Sequence, residues 1–111
     1  MTRSYARRLL HMWPYMASLA ERMGGWNLDS TSLSVSSNRG DEILVLSGDL
    51  ARTLKHLREK HGRNFCLLRD YFYDGQTQVV LSLDYRVHQG TISRRIHRAV
   101  AAAESFLGNN A

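Results

Sequence analysis

Apolar residues recur at steps of three and four through most of the chain, and that spacing demands helices. Ile43, Leu46, Leu50, Leu54 and Leu57 keep the rhythm up to Lys60, and Tyr5, Leu9, Met12, Met16, Leu19 and Met23 keep it earlier. Such steps put side chains on one face of a helix with 3.6 residues per turn. One segment, 78–83, reads QVVLSL and is rich in strand formers. Its neighbours on both sides carry the helical period and no partner strand is evident. The expected fold class is therefore all-α: a small helical domain with an N-terminal helix and a polar loop.

The chain divides by composition. Residues 1–26 read as an N-terminal helical segment. Pro14 interrupts its face, so it either kinks one helix or sits in the first turn of a second beginning near Trp13. Gly24 and Gly25 are expected to stop this segment. Residues 27–41, NLDSTSLSVSSNRGD, are dominated by Ser, Asn, Thr and Gly and read as a loop or linker. Residues 42–108 form the remaining helical domain. Asp41 is the expected cap of its first helix, and Gly48 weakens that helix by roughly 1 kcal/mol relative to alanine. A turn at 61–64, a short helix at 65–73 ended by Asp74 and Gly75, and helices at 76–85 and 91–107 follow, with 86–90 between the last two. Leu67, Leu68, Tyr71 and Phe72 are available for the core.

Several function classes are disfavoured. At 111 residues the chain has room for about one domain. Its single cysteine, Cys66, excludes an intramolecular disulfide framework and a four-cysteine zinc site. Lying between Phe65 and Leu67, Cys66 reads as a small buried apolar residue rather than a nucleophile. The five histidines, His11, His56, His61, His88 and His97, show no metal-ligand spacing with one another or with Cys66. His56 and His61, five apart, are expected on different helix sides. There is no HExxH, no Gly-x-Ser-x-Gly, no phosphate-binding Walker loop and no paired carboxylate, so no metal, no cofactor and no enzyme activity are expected. No stretch approaches the roughly 20 apolar residues that span a bilayer. Residues 1–16 carry Arg3, Arg7 and Arg8 but only a short apolar run, broken by His11 and Pro14, with no small-residue cleavage site. A cytoplasmic protein is expected.

Charge points the other way, toward a partner. Fifteen basic residues against ten acidic give +5, and thirteen of the fifteen are arginine. The planar guanidinium fork suits phosphates and guanine edges better than a lysine ammonium does. Between Tyr85 and Ala103 there is no acid, while Arg86, His88, Arg94, Arg95, His97 and Arg98 all fall there. A basic stretch of this kind fits a nucleic-acid footprint as well as a solvated helix face.

The order of residues inside that stretch is more specific. Gly75 ends a helix; Thr77 and Gln78 start the next. Leu81 and Ser82 occupy mid-helix, with Tyr85 near its end and Val87 closing the turn. Gly90, Thr91, Ile92, Arg94, Arg95, Ile96, Arg98 and Ala99 follow. This pattern, over 71–104, resembles the helix-turn-helix of sigma factor region four. In that arrangement Ser82 is the small residue where the two helices approach, and Ile92, Ile96, Ala99, Val100 and Ala103 pack inward. His88, Gln89, Thr91, Ser93, Arg94, Arg95 and Arg98 are the implied DNA-binding residues, with the helix N-terminus entering the major groove. The pattern departs from the family at two places: His88 stands where a serine cap is usual, and Arg86 where the turn usually has glycine. A left-handed backbone at Arg86 would be strained.

The whole outline, over residues 10–108, is similar to the small antitermination proteins of the Q type from lambdoid phages and to related phage late-gene activators. Trp13 and Trp26, the polar loop, the leucine-spaced helix and then Leu67, Leu68, Tyr71, Phe72, Tyr73, Asp74 and Gly75 carry it, with Ala103, Glu104 and Phe106 at the end. The specific part is 67–106. This resemblance implies a transcription antitermination factor that binds double-stranded DNA near a late promoter, loads onto RNA polymerase and lets it read through terminators. A sigma-like module could also touch the polymerase or its sigma factor. Two alternatives remain open: a helix-turn-helix activator of late genes that never travels with polymerase, and a polymerase- or sigma-binding module with no DNA specificity of its own.

Overall fold

Ser4 starts the first helix. Its hydroxyl accepts the Arg7 N–H at 3.1 Å, satisfying one of the amides a helix start leaves unbonded. A computed structural model describes residues 4–22 and 38–109 of the chain. Helix α1 spans Tyr5–His11 and α2 spans Trp13–Arg22, so Pro14 sits in the first turn of a new helix. Proline has no N–H to give, and at that position none is needed. Met12 bridges the break by donating to the carbonyls of Arg8 and Leu9 at 3.2 and 3.0 Å. Gly24, Gly25 and Met23 lie outside the described residues.

Helix α3 covers Asn38–Lys60. It begins three residues ahead of Asp41, the expected cap, so residues 38–41 are helical rather than loop. Extending an existing helix by a residue is far easier than nucleating one, and the helix runs back through Gly40. Leu50, Ala51, Leu54 and Leu57 are fully buried on its inner face, as the period predicts, with Ile43 and Leu46 half-buried. Two hydroxyls, of Ser47 and Thr53, are buried as well. Thr53 donates to the Asp49 carbonyl at 2.7 Å, and no buried side-chain N or O among the described residues lacks a partner.

The turn expected at 61–64 shrinks to one residue. His61 alone leaves the helical conformation (φ −140°), and α4 starts at Gly62 and runs to Leu68. The backbone loses little at this break: His61 donates to the Leu57 carbonyl at 2.7 Å and accepts from Phe65 at 2.9 Å. A π-helical turn, Arg69–Tyr73, extends α4 and ends at Gly75, whose φ of +73° suits a residue without a Cβ. Asp74 donates five residues back to Arg69 at 2.9 Å, and Gln76 donates to Asp70 at 3.0 Å.

The last two helices are α5, Gln78–Tyr85, and α6, Gln89–Asn109. Thr77 caps α5, accepting the Val80 N–H at 3.2 Å. Segment 78–83 is thus helical, and all described elements are helices. Leu81 from α5 and Ile92, Ile96, Ala99, Val100 and Ala103 from α6 enter the core. That core is continuous with Leu9, Leu10, Trp13 and Met16 of the N-terminal helices and with Leu67, Leu68 and Phe72. Aromatic contacts tie the N-terminal helices to the π-helical turn: the Trp13 and Tyr73 rings are 5.5 Å apart, His11 and Phe72 5.0 Å.

Candidate nucleic-acid interface

The connection between α5 and α6 is three residues long, Arg86 to His88. Helix α5 ends in a paired set of reverse hydrogen bonds: Val87 donates to the Ser82 carbonyl at 3.0 Å and Arg86 to Leu83 at 3.3 Å. This closure requires a left-handed residue, and Arg86 takes it at φ 56°, ψ 45°. The chain therefore adopts the turn that glycine usually provides, with the strain an L-residue brings. Val87 then folds against the core. Ser82 is half-buried and spends its hydroxyl on the Val79 carbonyl at 2.7 Å.

His88 caps α6 in place of the usual serine. Its Nδ1 accepts the Gly90 N–H at 3.1 Å, and its carbonyl accepts from Thr91 and Ile92 at 2.9 and 3.2 Å. The acceptor role needs the neutral ring with its proton on Nε2. Gly90 leaves space for the imidazole: a Cβ there would lie 3.3 Å from the His88 Nδ1. One turn on, the Arg94 guanidinium donates to the Thr91 hydroxyl at 3.2 Å. The N-terminal turn of α6 thus presents an imidazole, a carboxamide, a hydroxyl and a guanidinium together, at the end of the helix where unbonded amides carry partial positive charge.

Of the seven residues singled out in the sequence, Thr91, Arg94, Arg95 and Arg98 lie on α6 away from its buried stripe, Gln89 and Ser93 stand in line with it, three residues before Ile92 and Ile96, and His88 precedes the helix. His88, Gln89, Arg94, Arg95 and Arg98 are exposed, while Thr91 and Ser93 are half-buried. None of Arg86, Arg94, Arg95 and Arg98 pairs with a carboxylate among the described residues. They are not one uniform row, however. Arg94 folds toward Thr91, whereas Arg95 and Arg98 line a cleft of about 590 Å³ against the start of α4, with Arg63, Asn64, Cys66 and Tyr85.

Arg63 is the residue that sequence reasoning missed here, since it lies 32 positions before Arg95 and only folding brings the two to one cleft. Cys66 overturns an expectation. It is exposed rather than buried. Its position three residues after Arg63 puts it on the solvent side of α4, while Leu67 and Leu68 take the inner side. Tyr85 also lines the cleft, and its hydroxyl donates to Asp70, which does not, at 2.8 Å. Burial first, and then the hydrogen bond to the Asp70 carboxylate, push its pKa up to about 12. The Arg69 guanidinium, 3.5 Å from the other Asp70 oxygen, further neutralises that acid.

The histidines differ from expectation in one respect. Because the helix breaks at His61, the His56 and His61 rings come within 5.6 Å instead of pointing apart, and His56 stacks on Phe106 at 4.4 Å. Among the described residues no three His, Cys, Asp or Glu side chains gather as metal ligands. Among the same residues no helix is long and apolar enough to cross a membrane. Comparison with known proteins finds no family model, curated protein or solved structure that matches the chain.

Proposed function

We propose that the chain is a DNA-binding transcription factor that uses α5 and α6 as a helix-turn-helix. The observation that carries this reading is the arginine-rich outer face of α6, unpaired with carboxylates among the described residues and opposite a fully buried stripe. A helix that packs one side and keeps a concentrated cationic side in water is suited to the major groove, whose width of about 12 Å admits one helix. His88, Gln89, Thr91, Ser93 and Arg94, at the leading end, would meet base edges and nearby phosphates. Arg95 and Arg98, further along, would meet backbone phosphates.

The particular role proposed is transcription antitermination: binding near a phage late promoter, joining RNA polymerase and carrying it past terminators, in the cytoplasm of a bacterial host. The resemblance of residues 67–106 to Q-type antitermination proteins supports this step. A second reading, binding to polymerase or its sigma factor, is favoured by the apolar surface of α5, where Val79 is 53% exposed and Leu83 72%. Exposed apolar side chains grouped on one helix are a common mark of protein contact.

In vitro transcription tests the proposal. The reaction contains RNA polymerase, a late-promoter template from the same genome and a downstream terminator. More full-length transcript at unchanged initiation supports antitermination. More initiation at unchanged termination leaves a promoter activator. A stable polymerase complex with only weak, sequence-independent DNA binding selects the polymerase-binding reading.

A further inference from the structure

The cleft between α4 and α6 gathers three guanidinium groups from two helices distant in sequence. Arg95 and Arg98 stand three residues apart on one flank of α6, so their side chains are neighbours, separated by about 4.5 Å of axial rise. Arg63 faces them from the start of α4. Among the described residues, the only other ionisable groups on the wall are Cys66 and Tyr85. The Tyr85 hydroxyl is committed to Asp70, and no carboxylate among the described residues lines the space. Three like charges repel one another, so a cleft that holds them without a counter-charge is arranged for an anion from outside.

The position of the cleft identifies the anion. A helix with its side chains is about 10–12 Å across and fills a major groove about 12 Å wide, so phosphate rows run along both flanks of an inserted helix. The Arg95–Arg98 flank is one of those sides. We propose that this cleft seats a backbone phosphodiester of duplex DNA, gripped by Arg63 together with Arg95 and Arg98, and that Arg63 is a DNA-contacting residue outside the helix pair. This inference rests on the reading of α6 as the groove-entering helix. Its contribution is to position α6: a phosphate held between α4 and α6 sets the register and depth of the helix without reading a base.

Cys66 supplies a direct probe. It is the only cysteine, it is exposed, and it lines this cleft. Alkylation of the full-length protein by N-ethylmaleimide is followed with and without a random-sequence duplex, and separately with inorganic phosphate. The expected result is severalfold slower alkylation with the duplex and no slowing with phosphate. Equal protection by inorganic phosphate would make the cleft a small-anion site and overturn the proposal, as would no protection by a duplex shown to be bound. In parallel, duplex affinity is measured against salt for Arg63→Gln and Arg94→Gln. Loss of one phosphate contact lowers the salt slope by about 0.9, so Arg63→Gln shrinks the affinity drop between 50 and 200 mM salt by about 3.5-fold. The loss should be equal on specific and random duplexes. An unchanged slope for Arg63→Gln with weakened binding for Arg94→Gln overturns the cleft and leaves the α6 reading standing. The opposite pair of results, a lowered slope for Arg63→Gln with binding unchanged for Arg94→Gln, overturns the groove placement of α6 on which the proposal rests. No duplex binding by the wild-type chain at low salt overturns both.

Discussion

Arg86→Gly should stabilise this protein, against the usual direction of glycine substitutions. The left-handed conformation at φ 56°, ψ 45° costs an L-residue about 1–2 kcal/mol because its Cβ crowds the following carbonyl. Glycine removes that cost. It adds freedom to the unfolded chain, which offsets about 0.5–1 kcal/mol. The side chain is exposed and has no carboxylate partner among the described residues, and the closing hydrogen bonds from Arg86 and Val87 are made by the backbone, which glycine keeps. A net gain of about 0.5–1 kcal/mol remains, which for a domain of this size raises Tm by about 2–4 °C. Arg86→Ala is the matched control, because it removes the same charge but keeps the Cβ. Urea unfolding followed by far-UV circular dichroism, at one salt concentration, compares the two. Glycine should be the more stable by about 1 kcal/mol. In a right-handed helical position the order reverses, with glycine worse than alanine by about 0.5–1 kcal/mol. An alanine variant as stable as the glycine variant, or more so, would refute the left-handed turn and the strain argued from it.

Other outcomes follow from the same geometry. Arg94→Ala and Arg95→Ala should weaken duplex binding, with thermal melts unchanged because both side chains are exposed; unchanged affinity in both would remove α6 from the interface. His88→Ala should cost about 1 kcal/mol of stability through the lost cap, and His88→Ser should restore most of it, which urea midpoints of the two variants can decide. Tyr5 and Tyr85 both titrate near pH 12 when folded, raised from 10 by burial and by donation to Asp49 and Asp70. Between those values the unfolded chain holds fewer protons than the folded one, so stability is intact below pH 10 and falls as pH rises toward 12. Urea midpoints across that range should drop for the wild type and drop less for Tyr5→Phe and Tyr85→Phe; identical slopes would show that neither hydroxyl is held by its acid.

Much of the fold is legible in hydrophobic period and residue chemistry alone. The buried stripe of α6, Ile92, Ile96, Ala99, Val100 and Ala103, is the one its spacing predicts, and Leu50, Leu54 and Leu57 behave likewise on α3. Pro14 allows two readings, and the lack of an N–H suits the helix start it occupies. Where local rules compete, the neighbours decide. Asp41 is a good cap by residue type, yet helix propagation carries α3 back to Asn38. Asn64 and Gly62 favour a turn, yet one residue, His61, suffices to redirect the chain. The apolar neighbours of Cys66 in sequence suggest burial, whereas the phase of α4 decides which side the thiol takes.

The helical class, the inward face of each helix and the cationic character of 85–103 all belong to the amino-acid order, because each depends on residues within one or two turns. The hand of the backbone at Arg86, the imidazole cap of His88 and the meeting of Arg63 with Arg95 and Arg98 belong to the folded chain. A left-handed residue is selected by how α5 must close and α6 must leave. A cleft between α4 and α6 exists only once both helices have packed on the same core, and no local spacing brings residues 32 positions apart to one cleft.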